Sequence, residues 1–422
     1  MDACTNPDIL RIIYFIKILI EIIMFIVPIG LIIMGLIDFS KSVVTNDENA
    51  RKKNLNLFIK RVIFAVLLFA MPWIVRTFMH LLSTTGLDSD FVTCYENANS
   101  EKIKELDGIK VKEVFTIDKK GLSAVTSSFF ATVKILFSDA EIVHYHAEGP
   151  CYWMWIMKKF SHKKIIATIH GLDWQRAKWG GFATNFIKKG EQRAVKYADE
   201  IIVLSKNVQK YFKDTYNRDT NFIQNGVNKP DIVKLKNMKN KFNLTKDGYV
   251  LFLGRIVPEK GIHYLIDAYQ NVKTNKKLVI AGGASDTNHY FLKLKEKAQN
   301  NENIIFTGFV QGRDLDELYS NAYIYCLPSD LEGMPLSLLE AMSYGNCCLT
   351  SDIDECAEVL QDKGITFKKS NVKDLTKKLQ NLCDNADIVK KLKNNAQSYI
   401  LNKYNWDEIV EKTLELYKKE AN

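Results

Sequence analysis

Two glutamates eight positions apart, Glu332 and Glu340, stand in the stretch SDLEGMPLSLLEAMSYG, residues 329–345. Between them lie Gly333, Met334, Pro335, Leu336 and an apolar run. Proline fits the first turn of a helix, where its missing N–H costs nothing. Such a helix start offers unpaired N–H groups and a positive dipole end, which together seat a phosphate. Glu340 then falls more than a turn inside the helix, where its carboxylate can accept from ribose hydroxyls. Glu332, in the loop ahead of the helix, would face a sugar, and Gly333 lets backbone come close. Taken alone, this pair of acids could be two ordinary surface carboxylates near a helix start. Its company gives it chemical meaning. In GRIVPEKG, Arg255 follows an apolar run directly and Lys260 comes five residues later. Arginine as a fork and lysine as a point charge can clamp a diphosphate. Gly308, Phe309 and Val310, after the run NIIFT, offer a small residue where a planar base could rest on backbone. The chemistry implied is the holding of a nucleotide-sugar, with one carboxylate for the sugar, one for the ribose and helix N–H groups on the phosphates between.

Positioning these groups requires strands that end at one edge, and the pattern supplies them. From about residue 108 onward short apolar runs alternate with amphipathic helices. The strands are IKVKEVF, EIVHYH, KKIIATIH and EIIVLS, separated by helices near 121–137, CYWMWIMKKF and 182–198. A further helix, NVQKYFKDTY, leads to the Asn-Gly turn of NFIQNGV. A polar, Lys-rich stretch over 228–247 reads as a linker. The alternation then restarts with YVLFLG, KLVIAGG, NIIFTG, YIYCLPS and CCLTS, and the chain ends in helices over 372–419. Strand–helix–strand at this spacing argues parallel sheets wrapped by helices, with ligands at the carboxyl ends of the strands. Two such domains facing across a cleft is the economical architecture: 108–228 and 229–405, with a last helix over 406–422.

The first hundred residues differ. Residues 19–37 are apolar except for Glu21, and 62–75 are apolar throughout, the run continuing past Arg76 to Leu82. Each approaches the ~20 residues that a membrane-crossing helix needs. A transmembrane hairpin with spans at 18–38 and 62–82 is expected, and a buried soluble hairpin is the alternative. The joining segment carries Lys41, Arg51, Lys52, Lys53, Lys60 and Arg61, so the positive-inside rule puts it in the cytoplasm and both ends outside. Cys4 and Cys94 would then share the outer face, where a disulfide could form. The other cysteines include no C-x-x-C pair and no zinc spacing. Cys326, Cys347, Cys348, Cys356 and Cys383 read as buried thiols, and no metal site is expected. The formal charge of +9 in 422 residues comes from lysines scattered among acids. That is a solvated surface rather than a nucleic-acid footprint.

Two family resemblances follow. The segment from CTNPDILRIIYFIKILI through the basic joining stretch to CYENANS is similar to the small pilin-like membrane subunits of conjugation and type IV secretion systems. From about residue 108 to the end, the chain resembles the retaining glycosyltransferases of family four, with the GT-B fold of two Rossmann-like domains. The matching pieces are HYHAEGP, ATIHGLDWQRAKWG, ADEIIVLSKNVQKYF, FIQNGVN, FLGRIVPEKGI, FTGFV and LPSDLEGMPLSLLEAMSYG. The family's opening strand and glycine-rich loop have no counterpart here, so the acceptor-side domain is expected to be truncated.

This resemblance implies a hexosyl transferase that moves a sugar with retention from a nucleotide-sugar, UDP- or dTDP-linked, to a glycan or lipid-linked acceptor of polysaccharide biosynthesis. Arg255 and Lys260 would hold the diphosphate and stabilise the leaving group, Glu340 would bind ribose, and Glu332 would contact the sugar or the developing charge. His170 would face the reacting sugar, with His146 a weaker carry-over. No cofactor or metal is implied, because Arg, Lys and a helix dipole neutralise the leaving group. The membrane is an expected partner and site, with the catalytic domain in the cytoplasm, although the hairpin's charges place that side outside. The competing reading is a pilin-like membrane subunit carrying a catalytically idle domain, by fusion or chimerism.

Overall fold

The computed structural model describes residues 27, 30–41, 43, 48–84, 104–106, 108–117, 119, 121–175, 180–283, 288–298 and 301–419. The chain forms two compact units, Met1–Glu113 and Val114–Asn422.

In the first unit a helical stretch over 30–41 packs on helix α1 (Glu48–Thr84). Asp38 and Arg61 form an ion pair at 2.7 Å, and the rings of Phe39 and Phe58 lie 5.3 Å apart. Much of the expected joining loop is therefore helix. The expected transmembrane hairpin is not borne out: among the described residues no helix is long and apolar enough to cross a membrane. The first half of α1 carries Arg51, Lys52, Lys53, Lys60 and Arg61, charges a bilayer core would have to desolvate. Most of the first expected span, together with Cys4 and Cys94, lies outside the described residues. Strands β1 (Lys104–Leu106) and β2 (Ile109–Val111) make a small antiparallel hairpin. IKVKEVF was expected to open the parallel sheet, but it contributes only β2, whose residues are all exposed.

The second unit holds two parallel sheets. The first is built from α2 (Leu122–Leu136), β3 (Ile142–His146), α3 (Glu148–Cys151), α4 (Met154–Phe160), β4 (Lys164–Ile169), α5 (Gly181–Tyr197), β5 (Glu200–Val203), α6 (Lys206–Tyr216) and β6 (Asn221–Phe222). Its strands lie side by side in chain order, β3-β4-β5-β6. Every residue of β4 is buried, as a strand covered on both faces must be.

The second sheet follows α7 (Asn237–Phe242). It comprises β7 (Tyr249–Leu253), α8 (Ile262–Gln270), β8 (Lys277–Ala281), α9 (Asn288–Ala298), β9 (Ile304–Gly308), α10 (Arg313–Asn321), β10 (Ile324–Leu327), α11 (Leu336–Ser343), β11 (Cys347–Ser351), α12 (Asp354–Leu360) and β12 (Ile365–Phe367). The strand order is β12-β11-β10-β7-β8-β9. Helices α13 (Val372–Asp384), α14 (Ala386–Lys403) and α15 (Trp406–Lys418) close the chain. The stretch 228–247 is no slack linker: Met238 and Leu244 are buried in the second sheet's core, and Glu317 accepts from the N–H groups of Lys236 and Met238.

Helix α15 returns to the first sheet. Its Leu416 is buried against Ile166, Ile202 and Ile223. The Lys164 ammonium donates to the carbonyls of Leu416 and Lys419, satisfying the helix's last turn. Cys326, Cys347, Cys348 and Cys356 are buried free thiols, and Cys383 is half-buried.

Candidate functional site: the carboxyl ends of two parallel sheets

In the six-stranded sheet the order runs β7-β8-β9 one way and β10-β11-β12 the other. The reversal between β7 and β10 is the place where an open parallel sheet leaves a crevice at its carboxyl edge. The loops after those two strands carry Arg255 and Lys260 on one side and residues 328–335 on the other.

The turn Pro258–Lys260 ends at Gly261, whose φ is +65°. A Cβ there would sit 1.9 Å from the carbonyl oxygen of Pro328. Only glycine lets this turn lie directly against the end of β10. The Asp330 N–H donates to the Glu259 carbonyl at 2.8 Å and ties the two loops together. Lys260 Nζ consequently meets Glu332 Oε1 at 2.6 Å, with the two side chains only 13% and 8% exposed. Ser329 Oγ donates to the same oxygen at 2.6 Å. Ser329 is itself fully buried, and its carbonyl accepts from Ser351 Oγ. The ion pair is thus built into the loop junction.

Pro335 is the N-cap residue of α11, and no side chain caps the helix. Its first N–H groups remain available to an anion. Glu340 accepts from the Tyr319 hydroxyl at 3.0 Å. Burial raises the Glu340 carboxyl above its ordinary range, and the tyrosine's hydrogen bond opposes that rise. Arg255 is exposed and makes no ion pair among the described residues, so its guanidinium is free for a ligand. Gly308, Phe309 and Val310 leave β9, two strands from β7; Phe309 is 73% exposed and Val310 packs on the core.

The four-stranded sheet meets this edge at His170, just past β4. A Cβ on Gly333 would lie 1.6 Å from the His170 carbonyl oxygen, and one on Gly171 would lie 2.9 Å from Gly333 Cα. The two halves touch backbone to backbone here. Beside this contact the Asn225 N–H donates to Met334 Sδ at 3.1 Å. His146 Nδ1 and His170 Nε2 are 3.1 Å apart, and burial lowers the pKa of both rings.

The fold therefore brings Lys260, Glu332, Gly333 and His170 to one junction. It sets Arg255 on the adjoining strand end and Pro335, Leu336 and Glu340 on the helix that leaves it. Gly308–Val310 lie further along the same edge. The motifs left out Ser329 and Tyr319, which fix the two glutamates. They also left out Asn225, although the quoted Asn-Gly turn contains it. Tyr319 sits in α10, far from the motif in sequence. Ser329, within it, looks like any loop serine. Among the described residues no cluster of His, Cys, Asp or Glu is arranged to hold a metal.

The comparisons divide the chain at the same place. The profile described as Glycosyltransferase Family 4 matches residues 74–229, reaching back into α1 from the expected start near 108. That described as Glycosyl transferases group 1 matches residues 234–399. An uncharacterized glycosyltransferase of Methanocaldococcus jannaschii is 28% identical over 233 residues, 52% of this chain and 60% of its own length. The O-antigen chain mannosyltransferase B of Escherichia coli is 28% identical over 184 residues, 42% of this chain and 48% of its own. The chain thus spans about half to three fifths of these relatives. Among solved structures, Anabaena HepE in complex with UDP-glucose superposes with a TM-score of 0.64 at 17% identity, covering 78% of this chain and 89% of that one. At that identity the likeness shows the fold, which is GT-B-like. The pilin-like resemblance finds no counterpart among these matches. Matches to the Glycosyltransferase Family 4 and Glycosyl transferases group 1 profiles thus lie in tandem along the chain, and the kinship supports a transferase enzyme.

Proposed function

We propose that this chain transfers a sugar, with retention, from a nucleoside-diphosphate donor to a glycan or lipid-linked acceptor in polysaccharide biosynthesis, such as that of O-antigen. The observation that carries the reading is the Lys260–Glu332 pair at the switch point, flanked by a free Arg255 and the uncapped start of α11. Arg255, Lys260 and the helix start are the three sources of positive potential that would meet a diphosphate there. As the bond from the anomeric carbon to the phosphate oxygen breaks, the pair of electrons goes to the diphosphate, and these groups stabilise that charge. Arg and Lys supply the neutralisation that a divalent cation supplies elsewhere, so turnover should survive chelation by EDTA. Retention requires the acceptor hydroxyl to attack on the face from which the diphosphate departs, and its proton to end on the released phosphate. Glu340 would hold the ribose, Glu332 the donor sugar, and His170 the sugar from the opposite half. Gly308, Phe309 and Val310 would line the base. HepE, solved with UDP-glucose, makes a UDP-linked donor the first to try, with dTDP the second. A nucleotide-sugar donor places the catalytic unit on the cytoplasmic side, and a lipid-linked acceptor would bring it to the membrane surface.

The test is calorimetric titration of the full chain with UDP and dTDP, followed by anomeric analysis of product by NMR. Binding that is lost in Arg255→Ala and weakened in Glu340→Ala supports the donor site. Failure of wild type to bind either nucleotide would sink the reading, and an inverted product would sink retention.

A further inference from the structure

Three histidines form a string across the face of the four-stranded sheet that α15 covers. His144 and His146 are two residues apart on β3 and so project from the same face. Tyr145 between them points the other way, to the Thr132 hydroxyl of α2. The His144 ring is held at both nitrogens. Nδ1 meets the Tyr417 hydroxyl of α15 at 2.6 Å, and Nε2 meets Thr168 Oγ1 of β4 at 2.7 Å. His146 stacks on it with centroids 4.3 Å apart and ring planes at 25°. Past His146 comes His170, its Nε2 3.1 Å from His146 Nδ1 and the two planes at 30°. The string ends where the His170 backbone abuts Gly333.

A neutral imidazole has one donor nitrogen and one acceptor. A bond between two neutral rings therefore assigns both tautomers: one nitrogen of the pair carries the hydrogen and the other lends the lone pair. Whichever it is, His170 is left with a single nitrogen, Nδ1, of one defined character for anything in the cleft. His144 backs the His146 ring and is itself held by two hydroxyls.

We propose that His146 is a positioning residue: through its ring bond it fixes the tautomer and orientation of His170, with His144, Thr168 and Tyr417 as the backing that holds His146. The inference rests on the reading of His170 as a cleft residue of the transferase. The groups that bear on His170 are His146 and His144 from β3 and Asp173 from its own loop, while Glu332 of the facing loop is engaged by Lys260. Burial lowers the pKa of His144, His146 and His170 below the ordinary imidazole value, that of His144 to about 4. His146 adds to the lowering at His170, and Asp173 opposes it.

The experiment is imidazole NMR on the ¹⁵N-labelled full chain, titrated over pH with and without UDP, for wild type, His146→Ala and His146→Asn. In His146→Ala the His170 nitrogens are expected to shift toward averaged tautomers and its pKa to rise. Asn at 146 keeps a hydrogen-bonding group and should restore much of the wild-type pattern. On a donor that turns over, such as UDP-glucose, His146→Ala should lower kcat about tenfold and move KM less than twofold. An unchanged His170 signature in a folded His146→Ala would overturn the proposal, as would equal loss in kcat and the reciprocal of KM. Should His170→Ala keep full kcat, the cleft role of His170 fails while the ring coupling is still read directly by NMR.

Discussion

On the six-stranded side of the molecule the candidate site residues sit in loops or a helix at the carboxyl edge of the sheet, and their charges are met by partners or by solvent. On the four-stranded side three imidazoles lie on the sheet face, and burial lowers their pKa values. Lys260 and Glu332 form an ion pair at 2.6 Å. His144, His146 and His170 are bonded to one another and to hydroxyls, with Asp173 the one charged group beside His170. Glu148, which lies beside Glu191, goes further. Both are fully buried beneath the Gly171–Gln175 loop, where Glu191 accepts from Trp174, Tyr211 and Tyr216, and Glu148 from the Asp173 N–H. One half therefore presents fixed charge to a ligand, and the other presents neutral groups that shape and orient.

That contrast breaks first at Arg255. Its side chain is exposed, so Arg255→Ala should leave the melting temperature within a degree or two. Turnover should nevertheless fall by about 10²–10³, the usual loss when one preorganised donor to a leaving group is removed. A fall in stability with activity retained would mean that the charge serves the fold.

The next largest effect is on stability, at Lys260. Lys260→Ala leaves Glu332 buried without its cation, for a cost of about 3 kcal/mol in denaturant melts. Pairing Lys260→Met with Glu332→Gln should recover most of that cost and none of the activity. If the single variant is neutral, the pair is slack and not part of a preformed site.

Gly333→Ala tests the junction of the two halves. Its new Cβ would stand 1.6 Å from the His170 carbonyl, so backbone has to move. We expect about 1–2 kcal/mol of destabilisation and a tenfold or greater loss of kcat. Gly181→Ala, where nothing lies within 4 Å of the added carbon, is the control and should be silent.

The two halves also differ in how much of them was legible beforehand. The six-stranded side was largely legible because strand-end motifs are local. GR, the PEKG turn and the Gly-x-Pro helix start each fix their own geometry, and the parallel alternation brings them to one edge. The Lys260–Glu332 pair was missed because it depends on the Gly261–Pro328 contact between loops far apart in sequence. The four-stranded side was legible as strands and helices and not as chemistry. HYH reads as a strand end whether or not His146 meets His170, and nothing local pairs Glu148 with Glu191 across 43 positions. The hairpin expected at the amino end went wrong at its joining loop. Periodicity registers the apolar runs, but the basic residues between them, Arg51 to Arg61, belong to one continuous helix.

The smallest predicted effect sets one buried acid of each half against the other. Burial, helped by Glu191 and Asp173, pushes the Glu148 carboxyl up to about 10, against an ordinary value of 4.5. Between those values the folded chain keeps a proton that the unfolded chain has lost, so stability falls as pH rises. Glu317, in α10, has the opposite sign. Burial pushes it up, but the N–H groups of Met238, Lys236 and Asn237 outweigh burial and hold it below its ordinary value. Its contribution is present at neutral pH and fades as pH falls through the folded value. Glu148→Gln keeps an acceptor for the Asp173 N–H while removing the titration. Its melting free energy relative to wild type should therefore improve steadily from pH 6 to pH 9. Glu317→Gln should cost most at pH 7 and least near pH 4. Parallel profiles for wild type and Glu148→Gln would mean that Glu148 is charged in the fold, and the division between a charged half and a neutral half would fail at the residue where burial argues for it most strongly.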